Sequence, residues 1–126
     1  MNTYSINVKK NMRVTSEDID DIMCTALEGG INYWCNKAEV VGEYLGEYAS
    51  NQISKGGTLI LHDAESEDTW ELNIEKLLRG IELAIEEEYL ADYEWYDADS
   101  IDTCQIDADV ADAIIQFAIF EEIIFG

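Results

Sequence analysis

After Arg79 the chain contains no Lys, Arg or His, yet 14 carboxylates follow, from Glu82 to Glu122. The first 79 residues also hold 14 acids, but they carry all seven bases, so the formal charge of −21 divides into −7 before Gly80 and −14 after it. Like charges confined to one small body repel one another and oppose the compact state. Such a chain folds only if its apolar material outweighs that repulsion. With 48% hydrophobic residues over 126 positions, it has enough for one core, unlike a disordered acidic tail.

The sign of the charge narrows the partners. Nucleic-acid phosphates and anionic lipid would be repelled, whereas basic protein surfaces would be attracted. No apolar run approaches the roughly 20 residues that span a bilayer. Met1-Asn2-Thr3-Tyr4-Ser5 lacks the basic and apolar regions of a signal peptide, so a cytoplasmic protein is expected. Cys24, Cys35 and Cys104 are odd in number and have no metal-type spacing, which predicts reduced thiols.

Periodicity supplies the fold class. Tyr4, Ile6 and Val8 alternate as in a strand. Thr15 or Ser16 caps a helix over Ser16–Glu28, with Ile19, Ile22, Met23, Ala26 and Leu27 on one stripe and Gly29-Gly30 at its end. Extended segments are expected around Ala38–Gly42 and Glu47–Ile53. Thr58–His62 and Thr69–Asn73 read as a hairpin around the polar loop Asp63–Asp68. Asn73 caps a second helix running to Glu88, and Asp107 or Asp109 caps a last one. These elements predict one α+β domain, an antiparallel sheet of about three to five strands with two or three helices. The first two helices are expected on one face of that sheet. Ile119, Phe120, Ile123, Ile124 and Phe125 make the chain's last stretch apolar nearly all round. It is either buried centrally or a surface for homo-oligomer formation.

No catalytic constellation stands out. His62-Asp63 is the sole histidine–carboxylate neighbour pair, and one histidine without an evident nucleophile is thin support for a hydrolase. Asp97-Ala98-Asp99-Ser100-Ile101-Asp102 begins like a calcium loop, but it has Asp102 where glycine is required and Ala108 where the twelfth-position glutamate belongs. Neither a metal nor a cofactor is expected.

The acid run itself has two readings. One is a solvated face that maintains solubility. The other is imitation of a nucleic-acid backbone. DNA carries one charge per ~1.7 Å of axis, so a charge of −21 corresponds to roughly 36 Å of duplex. Glu86, Glu87, Glu88, Asp92, Glu94, Asp97, Asp99 and Asp102 would then stand in for phosphates, with Tyr93, Trp95 and Tyr96 as aromatic anchors for arginines of a basic nucleic-acid channel.

The segment Gly29-Gly30-Ile31-Asn32-Tyr33-Trp34-Cys35, continuing through Ala38-Glu39-Val40-Val41-Gly42-Glu43-Tyr44-Leu45-Gly46-Glu47-Tyr48-Ala49-Ser50, Gly56-Gly57-Thr58-Leu59 and Leu61-His62-Asp63-Ala64-Glu65, resembles a family of small acidic proteins. That family recurs in phages and mobile elements of Gram-positive and gut bacteria. The resemblance covers most of the chain and implies context rather than catalytic residues: small, acidic, non-enzymatic phage proteins are often inhibitors of host defence, including anti-CRISPR and anti-restriction DNA mimics. The expected function is therefore a stoichiometric inhibitor of a host defence nuclease such as a CRISPR effector. A rival is a sponge for a nucleotide immune signal, whose anion would need a basic pocket built from Lys9, Lys10, Arg13 and Lys55.

Overall fold

The computed structural model describes residues 11–126; the strand expected over Tyr4–Val8 lies outside them. Helix α1 spans Ser16–Thr25. It starts where Thr15 Oγ1 accepts from the Asp18 amide at 3.1 Å and Asp18 Oδ2 accepts from the Thr15 amide at 3.0 Å. This reciprocal box satisfies two amides that a helix start leaves orphaned. The helix ends earlier than its apolar stripe suggests. Ala26–Gly30 widens into a π turn closed by the Ile31 amide on the Ala26 carbonyl. Gly30 meets the start of the last helix so closely that a Cβ there would lie 2.9 Å from the Ala108 carbonyl oxygen. Only glycine fits that approach.

The sheet is antiparallel in the order β1-β2-β3, with β1 at Cys35–Val40, β2 at Leu59–Asp63 and β3 at Thr69–Leu72. Leu61 faces Ala38 on one side and Trp70 on the other. The hairpin expected around the polar loop Asp63–Asp68 is present. Relative to the extended segment expected at Ala38–Gly42, β1 begins three residues earlier and ends two residues earlier, where Gly42 adopts φ +75° and turns the chain away just beyond Val40.

Glu47–Ile53 is not extended. A single 3-10 turn at Ala49–Asn51 takes its place. The cause is Gln52, buried at 1% exposure, which donates from Nε2 to the Glu43 carbonyl at 3.2 Å and accepts the Leu45 amide at 3.0 Å. A buried amide side chain needs such partners, and here it finds them by curling the preceding loop around itself.

Helix α2 covers Ile74–Glu86, capped by the Asn73 side chain on the Lys76 amide at 2.9 Å. Helix α3 covers Ala108–Phe120, capped by Asp107 on the Val110 amide at 3.0 Å. Val110, Ala111, Ala113, Ile114, Ile115, Gln116, Phe117 and Ala118 of α3 are all buried. That makes α3 the central element. Helix α2 packs mainly on α3, and α3 also lies against the π turn, α1 and β3. At the α2–α3 crossing a Cβ on Gly80 would sit 2.5 Å from the Ile114 carbonyl oxygen, so glycine sets how closely the two helices approach.

The apolar stretch after α3 is used internally. Glu121 takes a left-handed conformation at φ +60° and reverses the chain. Phe125 then stacks on Trp34 with ring centroids 4.9 Å apart, and Phe120 meets Trp70 edge-on at 5.0 Å. Of the five residues that the sequence offered for self-association, only Ile124 is exposed.

Candidate acidic interaction surface

The end of α2 and its connection to α3 carry the predicted acids. Glu86, Glu87, Glu88, Asp92, Glu94, Asp97, Asp99 and Asp102 are all exposed. The backbone of the connection is pinned rather than loose. Tyr96 and Ile101 form an antiparallel bridge, and the Asp102 amide donates to the Trp95 carbonyl at 2.7 Å. Arg13 joins from the other side, its amide on the Asp99 carbonyl at 2.9 Å.

The acids divide by what their carboxylates already do. Asp97 Oδ1 accepts from the amides of Asp99 at 2.8 Å and Ser100 at 2.9 Å, and these bonds hold its carboxyl below the usual range. Asp102 Oδ1 accepts from the Cys104 amide at 3.1 Å. Glu86 lies 3.8 Å from Arg79, which also holds Glu82 at 3.0 Å. Glu87, Glu88, Asp92, Glu94 and Asp99 have no hydrogen-bonded or cationic side-chain partner among the described residues. Asp97 and Asp102 therefore shape the connection, while these five project charge from it.

Trp95 does not belong to this surface. It is fully buried, its Nε1 donates to the Tyr89 carbonyl at 3.1 Å, and Tyr96 packs edge-on against it at 4.7 Å. The expected aromatic anchor is instead the core on which the acidic connection is wrapped. Burial removes its apolar ring from water, and the Tyr89 carbonyl satisfies its one polar atom. Tyr96 is half-buried, and burial followed by the Glu88 charge pushes its hydroxyl pKa up. Tyr93 is the exposed member of the three. The Asp109 charge, more than its modest desolvation or Asp107, raises its pKa. The acidic face thus runs on from the connection to the start of α3.

His62 and Asp63 do not face each other. His62 Nε2 lies 2.9 Å from Glu39 Oε1 across the β1–β2 pair, a contact that lowers the Glu39 pKa. Asp63 accepts from Ser66 Oγ at 2.5 Å in the hairpin turn. Of the bases proposed for an anion pocket, Lys9 and Lys10 lie outside the described residues. Arg13 is tied to the acidic connection, and Lys55 lies beside Gly46 in the loop after β1. Among the described residues no group of three or more His, Cys, Asp or Glu side chains is placed to hold a metal ion.

A polar hub that sequence reasoning missed sits on α3. Asp112 accepts from Trp34 Nε1 at 2.7 Å, Tyr33 Oη at 2.5 Å and Gln116 Nε2 at 3.0 Å. Burial and the bond to Asp112 push the Tyr33 hydroxyl pKa well up. Gln116, 1% exposed, accepts the amides of Ile124 at 2.9 Å and Phe125 at 2.8 Å and donates to the Phe125 carbonyl at 3.2 Å. One glutamine within the apolar run from Ala113 to Phe120 was the available signal. Gln116→Leu is expected to release residues 123–126. Their amides would find water instead, so the loss is that of the docked segment, about 2 kcal/mol. Urea unfolding checks the stability, and hydrogen exchange at Ile124 and Phe125 should accelerate by more than about tenfold.

No helix among the described residues is long and apolar enough to cross a membrane. No family model, curated protein or solved structure matches the chain.

Proposed function

We propose that this chain is a stoichiometric inhibitor of a host defence nuclease, of the CRISPR-effector or restriction type, acting in the cytoplasm of an infected cell. Its acidic connection occupies a basic channel built for nucleic acid. The observation that carries this reading is the pinned display of Glu87, Asp92, Glu94 and Asp99, exposed and without a cationic partner among the described residues. A purely solubilising face needs no such fixed backbone. A phosphate mimic does, because charges must meet a rigid cationic lattice at set positions. The exclusion of phosphate-bearing partners by charge supports the same reading. Burial of Trp95 shifts the mechanism toward charge, with Tyr93 as the exposed ring on this face.

The test is titration of the chain into a panel of guide-loaded CRISPR effectors and restriction endonucleases while DNA cleavage is followed. Cleavage by the target should fall linearly to an end point at a fixed molar ratio. The apparent affinity should drop about tenfold or more between 50 and 200 mM NaCl, as phosphate-like contacts are screened. Substoichiometric inhibition, or inhibition indifferent to salt, would contradict the proposal.

A further inference from the structure

The exposed apolar side chains of the described residues are not spread evenly. Val41 at 49%, Tyr44 at 61%, Leu45 at 50% and Tyr48 at 61% exposure fall within eight residues of the loop after β1. An apolar grouping of this kind is unfavourable in water and marks a contact surface.

The loop is also held in shape. Its start is closed by the Val41 amide on the Thr58 carbonyl at 3.1 Å. Buried Gln52 grips Glu43 and Leu45 from beneath, and Asn51 Oδ1 accepts the Tyr48 amide at 3.2 Å. Gly46 fits so tightly that a Cβ would lie 2.6 Å from the Asn51 Cβ. Gly57 closes on Gln52 in the same way, at 2.5 Å from its Nε2. Aromatics presented on a scaffold of satisfied buried polar groups lose little entropy on binding.

Charge selects the occupant. Glu43 and Glu47 alternate with the apolar side chains and have no cationic partner among the described residues. A second copy would oppose the same two glutamates, within a complex of two chains at −21 each. Nucleic acid and anionic lipid are repelled for the same reason. An arginine satisfies both halves of the surface, since its guanidinium plane stacks on tyrosine while its N–H fork meets a carboxylate.

We propose that Val41, Tyr44, Leu45 and Tyr48, flanked by Glu43 and Glu47, form a preorganised docking loop for an arginine-presenting face of a partner protein. The loop stands apart from the phosphate-mimic reading: its chemistry holds whether or not the acidic connection enters a nucleic-acid channel.

The probes are nona-arginine and nona-lysine, titrated separately into the full chain at 150 mM NaCl and followed by calorimetry and amide chemical shifts. General acidity attracts both peptides alike, whereas stacking rewards arginine. The arginine peptide should bind roughly tenfold more tightly and shift residues 43–48. Tyr44→Ala with Tyr48→Ala should bring the ratio to within about twofold while leaving the lysine affinity and Tm unchanged, because both rings are exposed. Reversing acids on the α2–α3 connection should weaken both peptides equally, so failure of the mimic reading and failure of the loop give different results. An arginine preference retained in the double variant would overturn the proposal. So would shifts confined to residues 86–102, or wild-type dimerisation that the double variant abolishes, since that would make a second copy the occupant.

Discussion

Trp95→Ala should destabilise the protein by about 3–5 kcal/mol, the usual cost of deleting a large fully buried aromatic side chain. That is a large share of the roughly 5–15 kcal/mol that separates a folded domain from its unfolded chain. The ring is completely enclosed, with Tyr96 against its face at 4.7 Å and the Tyr89 carbonyl on its Nε1 at 3.1 Å. Deletion leaves a cavity and an unmatched carbonyl under a backbone already carrying left-handed residues at Glu88, Leu90 and Glu94. Each of those conformations costs roughly 1–2 kcal/mol for a residue with a Cβ, and Trp95 is the packing that offsets them. Trp95→Phe keeps most of the ring and should cost less than half as much. Urea unfolding of the two variants checks both values. A Trp95→Ala protein as stable as the wild type would return Trp95 to the surface and remove the support on which the acidic display rests.

Elements with a period were legible in the sequence. The stripe through Ile19, Ile22 and Met23 and the caps at Thr15, Asn73 and Asp107 each rest on a local rule, and the helices start where those rules place them. The hairpin of β2 and β3 followed from two strand-forming segments on either side of the polar loop Asp63–Asp68. Segments whose course is set by one distant or buried side chain were not legible. Glu47–Ile53 has strand-forming residue types, but Gln52 finds its partners only if the loop curls. Trp95 lies in an irregular connection, where no period tells an inward ring from an outward one. The distinction rests on the Tyr89 carbonyl, an acceptor supplied by a backbone turn. Within the candidate surface, the acids were read correctly as exposed. Their division into turn-forming and free carboxylates depends on hydrogen bonds that composition does not encode.

The same division explains how the chain tolerates its charge. Carboxylates that accept backbone amides, such as Asp97, Asp102 and Asp107, gain charge-assisted hydrogen bonds that offset part of the repulsion. Asp112 is similarly surrounded by neutral donors. The free carboxylates of the connection, Glu87, Glu88, Asp92, Glu94 and Asp99, are all exposed, where water screens them.

The most direct test of the phosphate-mimic claim compares two charge-reversed proteins that carry the same net charge. One replaces Glu87, Asp92, Glu94 and Asp99 with lysine, sparing Asp97 and Asp102 because they hold the turn. The other replaces Glu17, Glu65, Glu67 and Glu71, all exposed and off the connection. Each is titrated as a competitor of nucleic acid for the basic site of the target nuclease, with unfolding curves recorded to confirm the fold. Reversal on the connection should weaken competition by about a hundredfold or more, since four attractive contacts become repulsive. The control should lose less than about tenfold, the share owed to net charge. Equal losses in the two proteins would show that only bulk charge matters, and no loss in either would make the acidic connection a solvated face, contrary to this account.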